Sequence, residues 1–230
     1  PQLLDYLAVS FEEHNWDLKW LTKQIMMSQV YRQRSSEQPD HVAADPSDRL
    51  LWRKAPLRLE AETIRDSMLA LSGLLNDTMF GTQAPIKRGI DGQWLPDDKN
   101  GEGQNRRSLY VAQSRTRWVN FLHVFDCPDM TSDSQQQRFR ASLPTQSLAL
   151  MNSGLILRTT KAFTAKVLEE SNNDREKAVN LAFEQIYNRP PTQKEREIAQ
   201  NSMAMESNPQ DGLRLFVQAM FGANNFLYSY

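Results

Sequence analysis

Asp126, Asp129 and His123 form the sharpest chemical cluster in this 230-residue chain. Two carboxylates around Pro128, with an imidazole just upstream, can hold a divalent cation or serve as acid and base on one substrate. The same residue types have a plainer use. Asp126 and Asp129 can cap turns around Pro128, and His123 can ride on a half-buried segment. The plainer use is the preferred reading. Cys127 lies among them and is the only cysteine. A lone cysteine beside apolar residues is most often a small buried hydrophobe. It forms no internal disulfide and excludes a Cys-rich zinc or iron–sulfur site.

A second set of residues suits an anionic ligand. Arg106, Arg107, Arg138 and Arg140 concentrate guanidinium groups in the middle of the chain. Such groups grip carboxylate or phosphate with two parallel hydrogen bonds. They serve equally to pair with the neighbouring aspartates, and that pairing is preferred. Trp94 lies in a glycine-rich stretch, where an exposed ring can stack on a sugar face. His14 and His41 show no metal-ligand spacing, and no phosphate loop, dinucleotide fingerprint or serine-nucleophile elbow occurs. No metal site and no cofactor are expected.

Lys and Arg total 27 against 28 Asp and Glu, a net charge of −1. That balance gives no long-range field to attract nucleic acid, which is not expected as a partner. No apolar run approaches the roughly 20 residues of a membrane helix, so no membrane span is expected. The chain opens on Pro1-Gln2-Leu3-Leu4-Asp5 without a basic start or apolar signal region. It is expected to be a piece of a longer protein.

The elements around these residues are mostly helical. Leu3, Leu4, Leu7 and Phe11 recur at helical spacing, and Asn15 or Asp17 can cap a second helix over about Asp17–Arg32. Leu50-Leu51-Trp52 reads as an apolar knot that anchors a polar loop. A third helix is expected over about Arg58–Ser72, stopped at Gly73. Residues 76–105 hold most of the glycines and form a long loop in which a hairpin can fit. Ser108–Ala112 alternates and is the best strand candidate. Pro144 suits the first turn of a helix ending near Asn152. Asn173 or Asp174 caps a later helix, and Thr192 with Glu195 fits a capping box. Pro209 and Asp211 start the last helix. The expected fold is mainly α: a helical, bundle-like single domain over 1–230 with a small β element and a long Gly/Pro-containing loop. Within it, 1–75 are the N-terminal helices, 76–130 the loop and short strand, and 131–230 the C-terminal helices.

Several stretches taken in order resemble the PSD1, or DUF1553, domain of planctomycete-type bacterial proteins. They include Trp16-Asp17-Leu18-Lys19-Trp20-Leu21, Leu59-Glu60-Ala61-Glu62-Thr63-Ile64-Arg65-Asp66 and Arg106-Arg107-Ser108-Leu109-Tyr110. Phe125-Asp126-Cys127-Pro128-Asp129, Pro144-Thr145-Gln146-Ser147-Leu148-Ala149-Leu150-Met151-Asn152 and Asn188-Arg189-Pro190-Pro191-Thr192 extend the likeness over essentially the whole chain. The resemblance implies a domain of unknown function, here without the family's N-terminal part. It implies a place in an exported multidomain protein (periplasm or cell surface), behind an upstream domain and often near a cytochrome-like module. It supplies no catalytic residues.

Three functions follow. The preferred one is a non-enzymatic interaction module that packs on the upstream domain of its own polypeptide. The second is an enzyme or binding module for an extracellular polysaccharide or other anionic ligand, using Asp126, Asp129 and His123 with the arginines and Trp94. The third is a divalent-metal-binding domain built on the same loop.

Overall fold

The computed structural model describes residues 2–98, 103–128 and 142–229. Eleven α-helices occur among them, and β structure is confined to very short strands. The fold is mainly α, as expected. Contacts divide the chain into two compact units, one running to Leu57 and the other spanning Arg58–Ser229.

The first unit holds α1 (Gln2–Glu13), α2 (Leu18–Met27) and α3 (Pro39–Ala44). Asn15 and Trp16 take left-handed backbone angles, φ 54° and 59°, and reverse the chain between α1 and α2. The Asp17 carboxylate then accepts from the Lys19 and Trp20 amides, closing the open N-terminus of α2. His14 stacks on Trp20 with ring centroids 3.7 Å apart, and its Nδ1 donates to the Ser10 carbonyl at 2.7 Å. Ser10 is the single buried residue among 2–57. The helix expected to reach Arg32 stops at Met27, because the Ser28 amide and hydroxyl both turn back to the Ile25 carbonyl. The expected apolar knot is also corrected: Leu50 is 81% exposed and Leu51 57%. Asp45 organises that turn instead, taking the Leu50 amide on its carboxylate and the Trp52 Nε1 on its carbonyl.

The second unit carries the hydrophobic core. Its helices are α4 (Ala61–Leu71), α5 (Asn120–Val124), α6 (Pro144–Asn152), α7 (Gly154–Glu170), α8 (Arg175–Tyr187), α9 (Gln193–Met205), α10 (Pro209–Gly222) and α11 (Asn224–Leu227). α10 packs on α7 and α9, and α7 on α8 and α4. Phe163 of α7, Phe221 of α10 and Phe226 of α11 meet in succession at 5.8 and 5.0 Å between ring centroids, separations typical of favourable aromatic pairs. Ile156, Val167, Ala182, Phe183 and Val217 fill the space around them. Gly212 is required at the α9–α10 crossing, since a Cβ there would lie 2.6 Å from Met203 Cα and Ser202 O.

Start and stop signals act as read from the residue pattern. Gly73 takes φ +71° just beyond α4. Asp174 caps α8 through the Lys177 amide, Pro144 opens α6, and Asn208 caps α10, whose first residue is Pro209. Two boundaries differ. α4 begins at Ala61, because Arg58 is extended and buried and the Leu59 amide donates to the Leu227 carbonyl at 2.8 Å. Ser108–Ala112 is not a strand but a 3-10 turn over Ser108–Tyr110, because the Ser108 amide is taken by Asp66 and so leaves the ladder. The β hairpin lies earlier, in the glycine-rich stretch: Ile86–Arg88 pairs antiparallel with Trp94–Pro96.

The capping box of α9 gives a stability test. Glu195 accepts from the Thr192 amide and hydroxyl at 2.8 Å each and is gripped by both Arg189 nitrogens at 2.9 and 2.7 Å. Hydrogen bonds from Arg189, with those from Thr192, hold its carboxyl down at about 2. A depressed folded value means the contribution is present above the ordinary carboxylate range and is lost as pH falls toward about 2. Glu195→Gln is expected to cost about 1 kcal/mol at neutral pH. Urea unfolding repeated at decreasing pH should show the difference from the parent shrinking, and a pH-independent difference would refute the assignment.

Candidate functional site

The middle of the second unit is organised by an arginine buried on the core face of α4. Ala61, Ile64, Met68 and Leu69 turn inward, and Arg65 falls in the same helical phase. Arg65 is 2% exposed. Its Nη1 donates to Asp66 at 3.0 Å, to the Arg106 carbonyl at 2.8 Å and to Ser108 Oγ at 3.1 Å. Its Nη2 donates to the Gln104 carbonyl at 2.9 Å. Asp66 completes the junction by accepting the Ser108 amide and, at 2.7 Å, the Ser108 hydroxyl. Burial pushes the Arg65 pKa down, and the Asp66 charge opposes that. Two adjacent residues of one helix thus fix the path of 104–108.

Arg106 performs a similar task one layer further out. Its guanidinium donates to the carbonyls of Thr82, Thr78 and Phe80 at 2.9, 3.1 and 2.6 Å, and it lies over the Tyr110 ring at 4.6 Å. A side chain that could have met an anionic ligand, or paired with neighbouring aspartates as preferred, instead folds residues 78–82 around itself. Arg107 is exposed at a groove of about 830 Å³, shared with Glu62, Asp66, Ser67, Gln83 and Gln113.

Asp126 has left-handed φ, 61°, two residues beyond the end of α5. Its carboxylate pairs with Arg58, whose Nη2 also donates to the Phe125 carbonyl at 3.3 Å. Gln146 of α6 donates to the Val124 carbonyl at 3.0 Å and to Asp126 at 3.5 Å. The same Gln146 accepts from the Leu143 amide at 3.4 Å. The Asp126 turn therefore joins the end of α5, the start of α6 and the chain before α4. His123 is not drawn into this arrangement: it is exposed and meets the edge of Trp118 at 4.8 Å. Cys127 packs against the core.

The candidates are thus dispersed among separate partners. Trp94 is half-buried in the hairpin, with its amide on Asn120 at 2.6 Å and the Arg117 guanidinium over its ring at 5.8 Å. Asp129, Arg138 and Arg140 lie outside the described residues. Among the described residues no three His, Cys, Asp or Glu side chains gather as a metal site, and no helix is long and apolar enough to cross a membrane. Arg65, Asp66 and Arg58 carry the architecture, and residue chemistry alone had not singled them out. The signal for Arg65 was its phase: a charge on the Ala61–Ile64–Met68 stripe requires buried partners.

These features define a helical domain whose central polar residues act as ties between elements. The PSD1 family, described as proteins of unknown function (DUF1553), matches over residues 1–203, and the chain belongs to it. Comparison with curated proteins and with solved structures gave no match.

Two substitutions separate ties from bystanders. Arg106→Lys keeps the charge but cannot span three carbonyls, and it is expected to lose about 2 kcal/mol in chemical denaturation. His123→Ala is expected to change stability by less than about 0.5 kcal/mol. Equal effects of the two would contradict the assignment.

Proposed function

We propose that this chain is a non-enzymatic interaction module of a larger exported protein, and that it packs on the preceding domain of the same polypeptide. The observation that carries this reading is the apolar surface of the first unit. Leu3 and Leu4 of α1 are each 71% exposed and Leu18 of α2 70%. Tyr6, Val9, Met26, Met27, Val30 and Tyr31 are exposed as well. Hydrophobic side chains scattered singly over a surface are ordinary, but contiguous ones mark contact sites.

The chemistry of the partner can be specified. Leu18, Met26 and Met27 line a groove along α2 of about 450 Å³, edged by Lys19 and Lys23. It suits a ridge of apolar side chains flanked by carboxylates. Methionines are well adapted to such contacts, because their flexible thioethers repack against varied shapes. Export and the multidomain setting rest on family membership. The commitment of the Asp126 carboxylate to Arg58 supports a structural use of the turn at the centre of the second unit.

The test is association in solution. The preceding domain, cut from the natural full-length protein and mixed with this chain, should bind with a dissociation constant below about 100 μM, which suffices for domains linked in one polypeptide. Met27→Glu should weaken binding by at least about tenfold while leaving helical content unchanged. Absence of association at high micromolar concentration, or equal binding by Met27→Glu, would overturn the proposal.

A further inference from the structure

A separate cavity lies on the side of the second unit where α7 begins. Its volume is about 170 Å³. Leu95, Pro96, Val119, Phe121 and Leu155 give it apolar walls, while Arg158, Arg65 and Gln104 give it a polar end. A cavity of roughly 150 Å³ holds one benzene ring, so this one has room for a small ring or branched alkyl group with a polar head.

The polar end is lined by two guanidinium groups and, among the described residues, by no carboxylate. Arg158 Nη1 donates to Asn105 Oδ1 at 2.7 Å, and Nη2 donates to the Gln104 carbonyl at 3.3 Å. Both acceptors are neutral. Among the described residues Arg158 has no ion-pair partner, and Asp98 acts on it only as a longer-range attraction. The charge of Arg158 in turn bears unfavourably on Arg65. Burial lowers the pKa of Arg158. A partly desolvated guanidinium beside a second cation is a group that an added anion stabilises. Arg65 has its own carboxylate in Asp66, which leaves Arg158 as the cation open to a ligand. α7 also starts here, at Gly154, so the positive end of its dipole adds the same sign.

We propose that this cavity binds a small monocarboxylate, with its apolar body against Leu95, Val119, Phe121 and Leu155 and its carboxylate on the Arg158 guanidinium. The carboxylate is the discriminating feature, since the apolar walls alone would accept a neutral ring. The site is independent of the α2 groove, and its occupancy does not require the preceding domain.

Benzoate is the probe, and benzyl alcohol is the neutral control of similar size. Amide chemical shifts of the isotope-labelled chain are followed by NMR while each compound is added at constant ionic strength. Benzoate should shift the amides around Leu95, Gln104 and Leu155 saturably, with a dissociation constant of about 1 mM for so small a ligand. Benzyl alcohol and the Arg158→Gln variant should each bind at least about tenfold more weakly, and Arg158→Lys should bind between parent and Arg158→Gln. If Arg158→Gln does not fold, Leu155→Trp replaces it as the deciding variant, because it fills the cavity and leaves Arg158 in place. Loss of benzoate binding in Leu155→Trp supports the site. Non-saturable shifts, equal binding of benzoate and benzyl alcohol, or unchanged binding in a folded variant would overturn it.

Discussion

A guanidinium buried in a helical core is the constraint on which the centre of this molecule depends. Arg65 sits where α4 would ordinarily place a leucine. Leaving a buried charge unpaired costs several kcal/mol, so the surrounding chain must come to it. It does so through Asp66, the Ser108 hydroxyl and the carbonyls of Gln104 and Arg106. The result is a long connection that takes one path instead of many. Arg106 extends the same logic by gathering three carbonyls of residues 78–82. Arg58 repeats it at the Asp126 turn. In each case a planar cation with several donors organises backbone that has no helix or ladder to satisfy it.

This accounts for the dense polar chemistry around Arg58, Arg65, Arg106 and Asp126. Arginines and aspartates concentrate where irregular chain must be tied to helices. α4, α5 and α6 approach one another around such ties, while α7, α8, α9 and α10 are held by apolar packing around Phe163 and Phe221. The second unit thus combines an apolar half, in which helix packing suffices, with a polar half, in which buried hydrogen bonds set the geometry. The first unit has neither. Its α1–α2 pair is closed by a turn, a cap and one stacked ring pair, and it buries only Ser10. That poverty of interior is the feature that the proposed partner would complement.

Much of this could be read from residue types. The helices of the last third follow from punctuation: Pro144, Asp174, Thr192 with Glu195, and Pro209 each mark a start that the structure uses. Local signals suffice there because capping is a local interaction. The Ser108 segment departs from the expected strand because its alternation is real but its hydrogen bonds are long-range: the Asp66 carboxylate claims the amide that a strand would need. The hairpin at 86–96 was legible as a possibility, since Gly89 and Gly92 bracket a turn between apolar residues. The roles of Arg65 and Arg158 are not legible from residue type, because arginine is a common residue on helices. Their meaning depends on helical phase and on what the opposite wall supplies, and only the first of these is visible in one chain.

The Arg65–Asp66 pair locks residues 104–108 into the folded core. Native-state hydrogen exchange at the Ser108 amide tests it most directly, because that amide donates only to the Asp66 carboxylate. The Ser108 amide should exchange as slowly as the core amides of α4, through global unfolding. In Asp66→Asn it should exchange far faster than α4. Rapid exchange in the parent protein, at the rate of an exposed loop, would contradict the account.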